Sequence, residues 1–389
     1  MKALFCYDGP VWTDGEGRHY SPVLNNRVYD RYLEHADTLT VAIRVAKCAP
    51  EEATPATLID ESRVDFLPIP NLSSLSGTVL QRRKAKQLLL QAMREADFAI
   101  IRLPSFIGAV AVRVARKLHK PYLVEVVGCA WDSLWNFGLK GKLIAPWLSV
   151  SMRCQVLRAR YVIYVTNQFL QSRYPTKGLS ANCSNVEIDA PDEAALRDRL
   201  AKIDRPGKTK IIGTAAAVHV PYKGHQYVIE ALGQLKKQGR TDFCYQMAGG
   251  GDPARLKKIA EEQGVTDQIE FLGSLPRAEL FAWLDQIDLY AQPSRQEGLP
   301  RALIEAMSRG VPCIGARTGG IPELLPPERT FHNSEQTVAE ICALLTAFTP
   351  EMMKADAVRN HDAAKVYTID KIKARRDRML DELVSAAKA

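Results

Sequence analysis

Ser294-Arg295-Gln296-Glu297-Gly298-Leu299-Pro300-Arg301-Ala302-Leu303-Ile304-Glu305-Ala306-Met307, continued by Gly310-Val311-Pro312 and by Thr318-Gly319-Gly320-Ile321-Pro322-Glu323, decides the fold of this chain. Glu297 and Glu305, with seven residues between them, straddle a Gly-Leu-Pro turn. Ile287 to Gln292 reads as a strand entering the core, and Pro293 to Gly298 as the loop leaving it. Pro300 suits the first helical position, where a missing N–H costs nothing. Ala302, Leu303, Ala306 and Met307 recur at helical spacing and would face a sheet. Gly310 fits the C-terminal cap, and Val311 to Gly315 returns as the next parallel strand. The amides of Gly298, Leu299 and Arg301 are then open at a helix N-terminus, which favours an anion such as a diphosphate. Glu297 sits at the mouth of this unit and Glu305 about two turns along the helix.

Arg301, Glu305 and Arg309 also stand four apart, so Glu305 has a second reading as the centre of a surface ion-pair ladder worth about 0.3–0.5 kcal/mol per pair. The string around it, glycine and proline on both sides of the helix and Gly319-Gly320-Ile321-Pro322-Glu323 beyond, favours a ligand site.

The segment from Gln292 to Glu323 resembles the signature of the retaining GT-B glycosyltransferases of glycosyltransferase family 4. Shorter landmarks precede it in the family's order. Ile211-Ile212-Gly213-Thr214 with Tyr222-Lys223-Gly224-His225 resembles the first strand and lysine-glycine turn of the family's C-terminal domain. Gln246 to Asp252 is similar to its second glycine loop, and Ile269 to Gly273 to the strand end beside the nucleobase. The fold so implied is α/β: GT-B, two Rossmann-like domains with parallel sheets facing a central cleft.

The resemblance implies roles position by position. Glu305 holds the ribose hydroxyls, since a carboxylate accepts from both members of a vicinal diol. Lys223 neutralises the diphosphate, the amides of Gly298 and Leu299 bind phosphate or sugar oxygens, and Glu297 meets the donor sugar near the reacting carbon. Gly213, Thr214, Gly249, Leu272 and Pro300 complete the expected donor site. Glu297 and Lys223 carry the catalytic expectation, with stabilisation of the leaving diphosphate as the main task. No metal or cofactor is implied; the nucleotide-diphosphate sugar is a substrate. Many relatives carry an arginine shortly before the lysine. Here His219 is the nearby cation, with Arg295 and Arg317 as substitutes.

Length and composition fit two domains. A chain of 389 residues exceeds what one core usually serves, and 46% hydrophobic residues suffice for two. The expected division is a first, acceptor-binding domain over 1–190, a linker over 191–207, a nucleotide-sugar domain over 208–367, and a terminal helix over 368–389 crossing back to the first. Pro206-Gly207 closes the charged linker stretch. The eight cysteines (Cys48 among them) form no Cys-x-x-Cys pair or cysteine-histidine cluster, which argues against structural zinc and a disulfide framework. Reduced thiols, the early Asp8 after the first apolar residues, and the lack of a long apolar run point to a cytoplasmic protein.

Charge is uneven. Between Ile101 and Ser180 twelve basic residues face two acidic ones, a surplus exceeding the +8 of the whole chain. Trp131, Trp135, Phe137 and Trp147 lie within that stretch. Such a surface suits anionic lipid headgroups or a pyrophosphate-linked lipid acceptor at the inner face of the cell membrane. The other reading is a solvated face over core aromatics. No nucleic-acid-binding motif is present.

In the first domain, Asp8 to Arg18 is expected as a loop near the donor phosphates, and Arg102, Glu125 and Asp132 as acceptor-side contacts. The function implied is a retaining glycosyltransferase moving a sugar from a nucleotide-diphosphate sugar to a glycan or lipid-linked acceptor in bacterial surface polysaccharide assembly. Two alternatives stay open: a nucleotide-sugar epimerase of the same fold, and a non-catalytic subunit binding nucleotide or glycan. Gly249-Gly250-Gly251-Asp252 lacks the glycine spacing of a nicotinamide-dependent dehydrogenase.

Overall fold

The computed structural model describes residues 1–21, 24–47, 57–72, 81–135, 138–205 and 207–389, with the backbone alone at Pro10 and Lys140. Cys48, Phe137 and Pro206 lie outside the described residues. The chain divides into two compact units, one of Met1–Val165, Leu170–Cys183 and Ala374–Ala389, the other of Thr166–Phe169 and Ser184–Lys373.

The first unit holds strands β1 (Lys2–Thr13), β2 (His19–Ser21), β3 (Thr38–Lys47), β4 (Thr57–Leu58), β5 (Val64–Pro68), β6 (Phe98–Leu103), β7 (Tyr122–Val126), β8 (Tyr161–Tyr164) and β9 (Leu179–Asn182). Seven pair in parallel, in the order β5-β3-β1-β6-β7-β8-β9, and β2 and β4 add an antiparallel flap beyond β1. The central strands are apolar runs rather than alternating ones, with every residue of β6 buried, as a sheet covered on both faces requires. The expected loop from Asp8 to Arg18 is largely strand: β1 runs on to Thr13, and Asp14 closes a tight turn by accepting from the Glu16 and Arg18 amides at 2.9 and 3.0 Å. Asp8 is occupied within the unit, accepting from Phe106 and, at 3.0 Å, from the Ile107 amide at the start of the helix Phe106–Lys117.

The second unit has strands β10 (Lys210–Ala215), β11 (Phe243–Ala248), β12 (Ile269–Gly273), β13 (Leu289–Gln292), β14 (Cys313–Ala316) and β15 (Thr330–Phe331). All are parallel, in the order β12-β11-β10-β13-β14-β15. Counted from its own first strand this is 3-2-1-4-5-6, the doubly wound order, and the parallel core of the first unit begins the same way. Of the four residues expected to face the sheet, Leu303, Ala306 and Met307 on the helix Arg301–Ser308 are buried, joined by Ile304, while Ala302 is only partly buried.

Residues 191–207, read as a linker, contain a helix, Glu193–Asp204. Asp192 caps it, accepting from the Ala194 amide at 2.8 Å. Its charged run is not all solvated. Arg199 is buried and donates to the carbonyl oxygens of Ile287 and, at 2.6 Å, Leu284, tying the helix to the second unit. The last helix, Ile369–Lys388, groups with the first unit from Ala374 onward, where Asp377 and Asp381 face the two ring nitrogens of His35 at 3.4 and 3.2 Å. All cysteines among the described residues are free thiols.

Candidate active site

In a doubly wound sheet the connections of strands 1 and 4 diverge to opposite faces, and a crevice opens at their C-terminal ends. Here those strands are β10 and β13, and a cleft of about 590 Å³ lies at that place. Its volume is within the range of small-molecule sites. Ala215 to Ala217 line it after β10, Gly249 after β11, Ser274 and Leu275 after β12, and Gln292 at the end of β13. Glu297, Leu299, Pro300, Arg301 and Glu305 supply the opposite wall.

Lys223 enters from a short turn, Pro221–Lys223, closed by Gly224 at φ +80°. A Cβ at Gly224 would overlap the Pro293 carbonyl, so glycine alone permits the lysine turn to lie against the loop leaving β13. Lys223 Nζ then lies 2.7 Å from Glu297 Oε1. The same oxygen accepts from Gln292 Nε2 at 3.1 Å. Gln292 is itself fixed: it donates to Ser294 Oγ at 2.9 Å and accepts from the Tyr290 hydroxyl at 3.0 Å. The loop is held from behind, where the Gly320 amide donates to the Gly298 carbonyl at 2.7 Å.

Pro300 directly precedes the helix Arg301–Ser308, one position earlier than expected, and Gly310 takes φ +63° after its end. The amides of Gly298 and Leu299 make no hydrogen bond among the described residues, leaving them available to an anion. Glu305 is the site's other carboxylate. Its side chain makes no hydrogen bond or ion pair among the described residues, and burial raises its pKa despite the opposing charges of Arg301 and Arg277. The ion-pair ladder does not form, because Arg309 turns away to Asp285, with two contacts of 2.7 Å. A half-buried carboxylate left unpaired in a cleft is available to hydroxyl donors of a ligand.

Of the expected donor residues, Lys223, Gly249, Glu297, Leu299, Pro300 and Glu305 meet around this cleft. Gly213, Thr214, Gly298, Leu272 and His219 are not part of its wall. Gly213 serves packing: a Cβ there would come within 2.7 Å of the Trp283 and Ile287 side chains. Thr214 is buried and donates to the Ala291 carbonyl at 2.8 Å, bracing β10 against β13. His219 is exposed and stands against Gly251. Arg295 stacks on the Tyr227 ring at 4.5 Å, and Arg317 bonds Thr330 Oγ1 at 2.9 Å. The second cation bordering the cleft is Arg301, which the sequence reading had placed in the ion-pair ladder. Gln292, Ser274, Leu275 and Leu280 were missed as well; the first three lie at or just after strand ends and Leu280 lies in the helix Arg277–Gln286, places that carry no signal apart from the sheet that positions them.

Two acceptor-side expectations are corrected. Arg102 and Glu125 stand opposite each other on β6 and β7, and both are buried. Arg102 donates to Glu125 Oε2 from Nε at 3.0 Å and from Nη2 at 2.8 Å, while the Tyr32 hydroxyl donates to Glu125 Oε1 at 2.8 Å. The carboxylate is satisfied inside the unit, so these two are core polar residues. Burial opposes its ionisation, but the Arg102 charge and these bonds hold the Glu125 pKa below its ordinary value. Asp132 lies in the short helix Ala130–Trp135, 3.7 Å from Arg173.

Residues 197–346 match the protein family described as glycosyl transferases group 1. Protein CapJ of Staphylococcus aureus is 27% identical over 388 residues, 98% of this chain and 95% of that protein. A GDP-mannose-dependent alpha-(1-6)-phosphatidylinositol monomannoside mannosyltransferase of Mycolicibacterium smegmatis is 30% identical over 180 residues, 43% of this chain and 46% of that protein. The solved structure of Anabaena Alr3699/HepE in complex with UDP-glucose superposes with a TM-score of 0.65 at 17% identity, covering 98% of this chain and 100% of that one. The two doubly wound units, the cleft at the switch point of the second and these likenesses agree: over residues 197–346 the chain is similar to the group 1 glycosyl transferases, and it has the GT-B fold.

Proposed function

We propose that this enzyme is a retaining glycosyltransferase that moves a sugar from a nucleotide-diphosphate sugar to a glycan or lipid-linked acceptor, in bacterial surface polysaccharide assembly at the cytoplasmic face of the membrane. The observation that carries the donor half of this reading is Glu305, a carboxylate unpaired among the described residues, in a cleft lined also by Lys223, Arg301 and Leu299, whose amide is unbonded. Glu305 accepts from the ribose hydroxyls. Lys223, Arg301 and the amides of Gly298 and Leu299 take the diphosphate, and Glu297 contacts the sugar. As the bond to the anomeric carbon breaks, negative charge grows on the departing diphosphate, where these fixed donors stabilise it without a metal ion. The acceptor half rests on the likeness to a lipid-directed mannosyltransferase and on the basic first unit.

The test is product analysis with UDP-, GDP- and ADP-sugars, with and without a lipid-linked acceptor, reading the anomeric configuration by NMR. Transfer with retention that is lost in Glu305→Ala is expected. An altered sugar nucleotide formed with no acceptor present would identify an epimerase. Inverted product would overturn the retaining assignment alone.

A further inference from the structure

The helix Gly138–Leu157 of the first unit is apolar on two faces. One face is accounted for: Ala145, Leu148, Met152 and Val156 are buried against the unit. The other is not. Leu139, Leu143, Trp147 and Val150 follow one another at helical spacing with 82, 83, 59 and 62% of their surface exposed. Six of the eleven exposed large hydrophobic residues among the described ones fall between Trp135 and Val150. A helix apolar all round belongs in a core or against another apolar phase.

The charges beside this stripe identify the phase. The helices Phe106–Lys117 and Gly138–Leu157, which pack together, contain six Lys or Arg and no Asp or Glu. Lys142 stands over the Trp135 ring at 5.4 Å. On the flank, a groove floored by Phe106, Val110 and Leu148 and walled by Trp147 has Arg82 and Arg113 at its rim. Neither arginine has an ion-pair partner among the described residues, and burial together with the charge of Arg82 lowers the Arg113 pKa. Unpaired guanidinium groups around exposed apolar side chains match phosphate headgroups above acyl chains. Among the described residues no helix is long and apolar enough to cross a membrane, so this one would lie in the plane of the surface.

We propose that the helix Gly138–Leu157 docks on an anionic bilayer, with Leu139, Leu143, Trp147 and Val150 inserted below the headgroups and Lys142, Arg153, Arg82 and Arg113 at the phosphates. This deepens the membrane location given under the proposed function and is independent of donor chemistry. Lys142 and Arg153 flank the apolar stripe on one side, so insertion of the stripe brings them to headgroup level. A glycan-transferring unit held this way stays beside a lipid-anchored acceptor for many encounters.

The experiment is cosedimentation of the full chain with vesicles of phosphatidylcholine, alone or with phosphatidylglycerol. Wild type is compared with Leu139→Ser/Leu143→Ser/Val150→Ser and with Lys142→Glu/Arg153→Glu. Thermal stabilisation by UDP or GDP in each variant reports an intact second unit. Binding to anionic vesicles that falls at least about tenfold in both variants, with Trp147 fluorescence quenched by brominated lipid and unquenched signal in Trp147→Phe, is the expected result. Unchanged binding in the serine variant would overturn this docking face while leaving a membrane location standing. No binding of wild type to either vesicle would overturn both. A wild-type dimer that the serine variant turns into a monomer, with no vesicle binding, would make the stripe a contact between two copies of the chain.

Discussion

Lys223 Nζ and Glu297 Oε1 lie 2.7 Å apart, so the cation and the carboxylate neutralise each other at the wall of the cleft. Under the proposed function a diphosphate takes Glu297's place on Lys223, and Glu297, which keeps its bond from Gln292 at 3.1 Å, is freed of the lysine to meet the sugar. Glu297→Gln is expected to bind the nucleoside diphosphate more tightly than wild type while transferring more slowly. Lys223→Ala is expected to lose about 10²–10³ in kcat, as for loss of one preorganised stabilising donor. Calorimetric titration and initial rates on both variants check this, and tighter binding is the diagnostic half.

Glu305→Ala is expected to lose about a hundredfold or more in nucleotide affinity with little loss of fold, since its carboxylate makes no internal bond among the described residues. Arg309→Ala, which breaks only the partly exposed pair with Asp285, is expected to leave donor affinity unchanged.

Burial lifts the Glu305 pKa above its ordinary 4.5. The form that accepts from two hydroxyls is the ionised one, so donor affinity is expected to fall as pH drops through a window lying above that value. Glu305→Gln is expected to bind weakly and to lose that pH dependence. Affinity measured across the acidic range in both proteins checks the sign.

His225 is fully buried, with Nδ1 2.8 Å from the Tyr245 hydroxyl, and burial takes its pKa from 6.5 down to about 4. The folded chain keeps the ring neutral where the unfolded chain protonates it. Its contribution is therefore whole above pH 6.5 and is lost as pH falls from 6.5 toward about 4, amounting to roughly 3 kcal/mol. A His225→Gln variant is expected to show a flatter dependence of denaturation midpoint on pH in that window, whatever its stability at neutral pH.

Glu125→Ala leaves Arg102 buried and unpaired, and a loss of about 3–5 kcal/mol is expected. A thermal melt reads that directly. Acceptor KM, measured on whatever folded enzyme remains, is expected to stay near wild type.

The Glu297 to Glu305 stretch was legible because its structure is local. A strand, a glycine loop, a proline at a helix start and a glycine at its end each follow from neighbouring residues. Arg102 and Glu125 were misread because their meeting depends on the register of β6 against β7, residues 23 apart, which no local pattern reveals. The stretch 191–207, read as a linker from its prolines and charged run, carries a helix whose signal was present locally, since Asp192 and Glu193 are an ordinary cap and first turn. Arg199 reaches two helix-end carbonyls more than eighty residues away, so its burial could not be read from the run around it. Gly213 carried a true signal with another cause, room for Trp283 rather than for a ligand.

Every residue bounding the cleft falls between Ala215 and Glu305, on one uninterrupted piece of the second unit. A recombination event spanning that interval would move the whole wall of the cleft, and with it any ligand preference the wall sets, as a single heritable cassette and leave the sequence of the first unit unaltered.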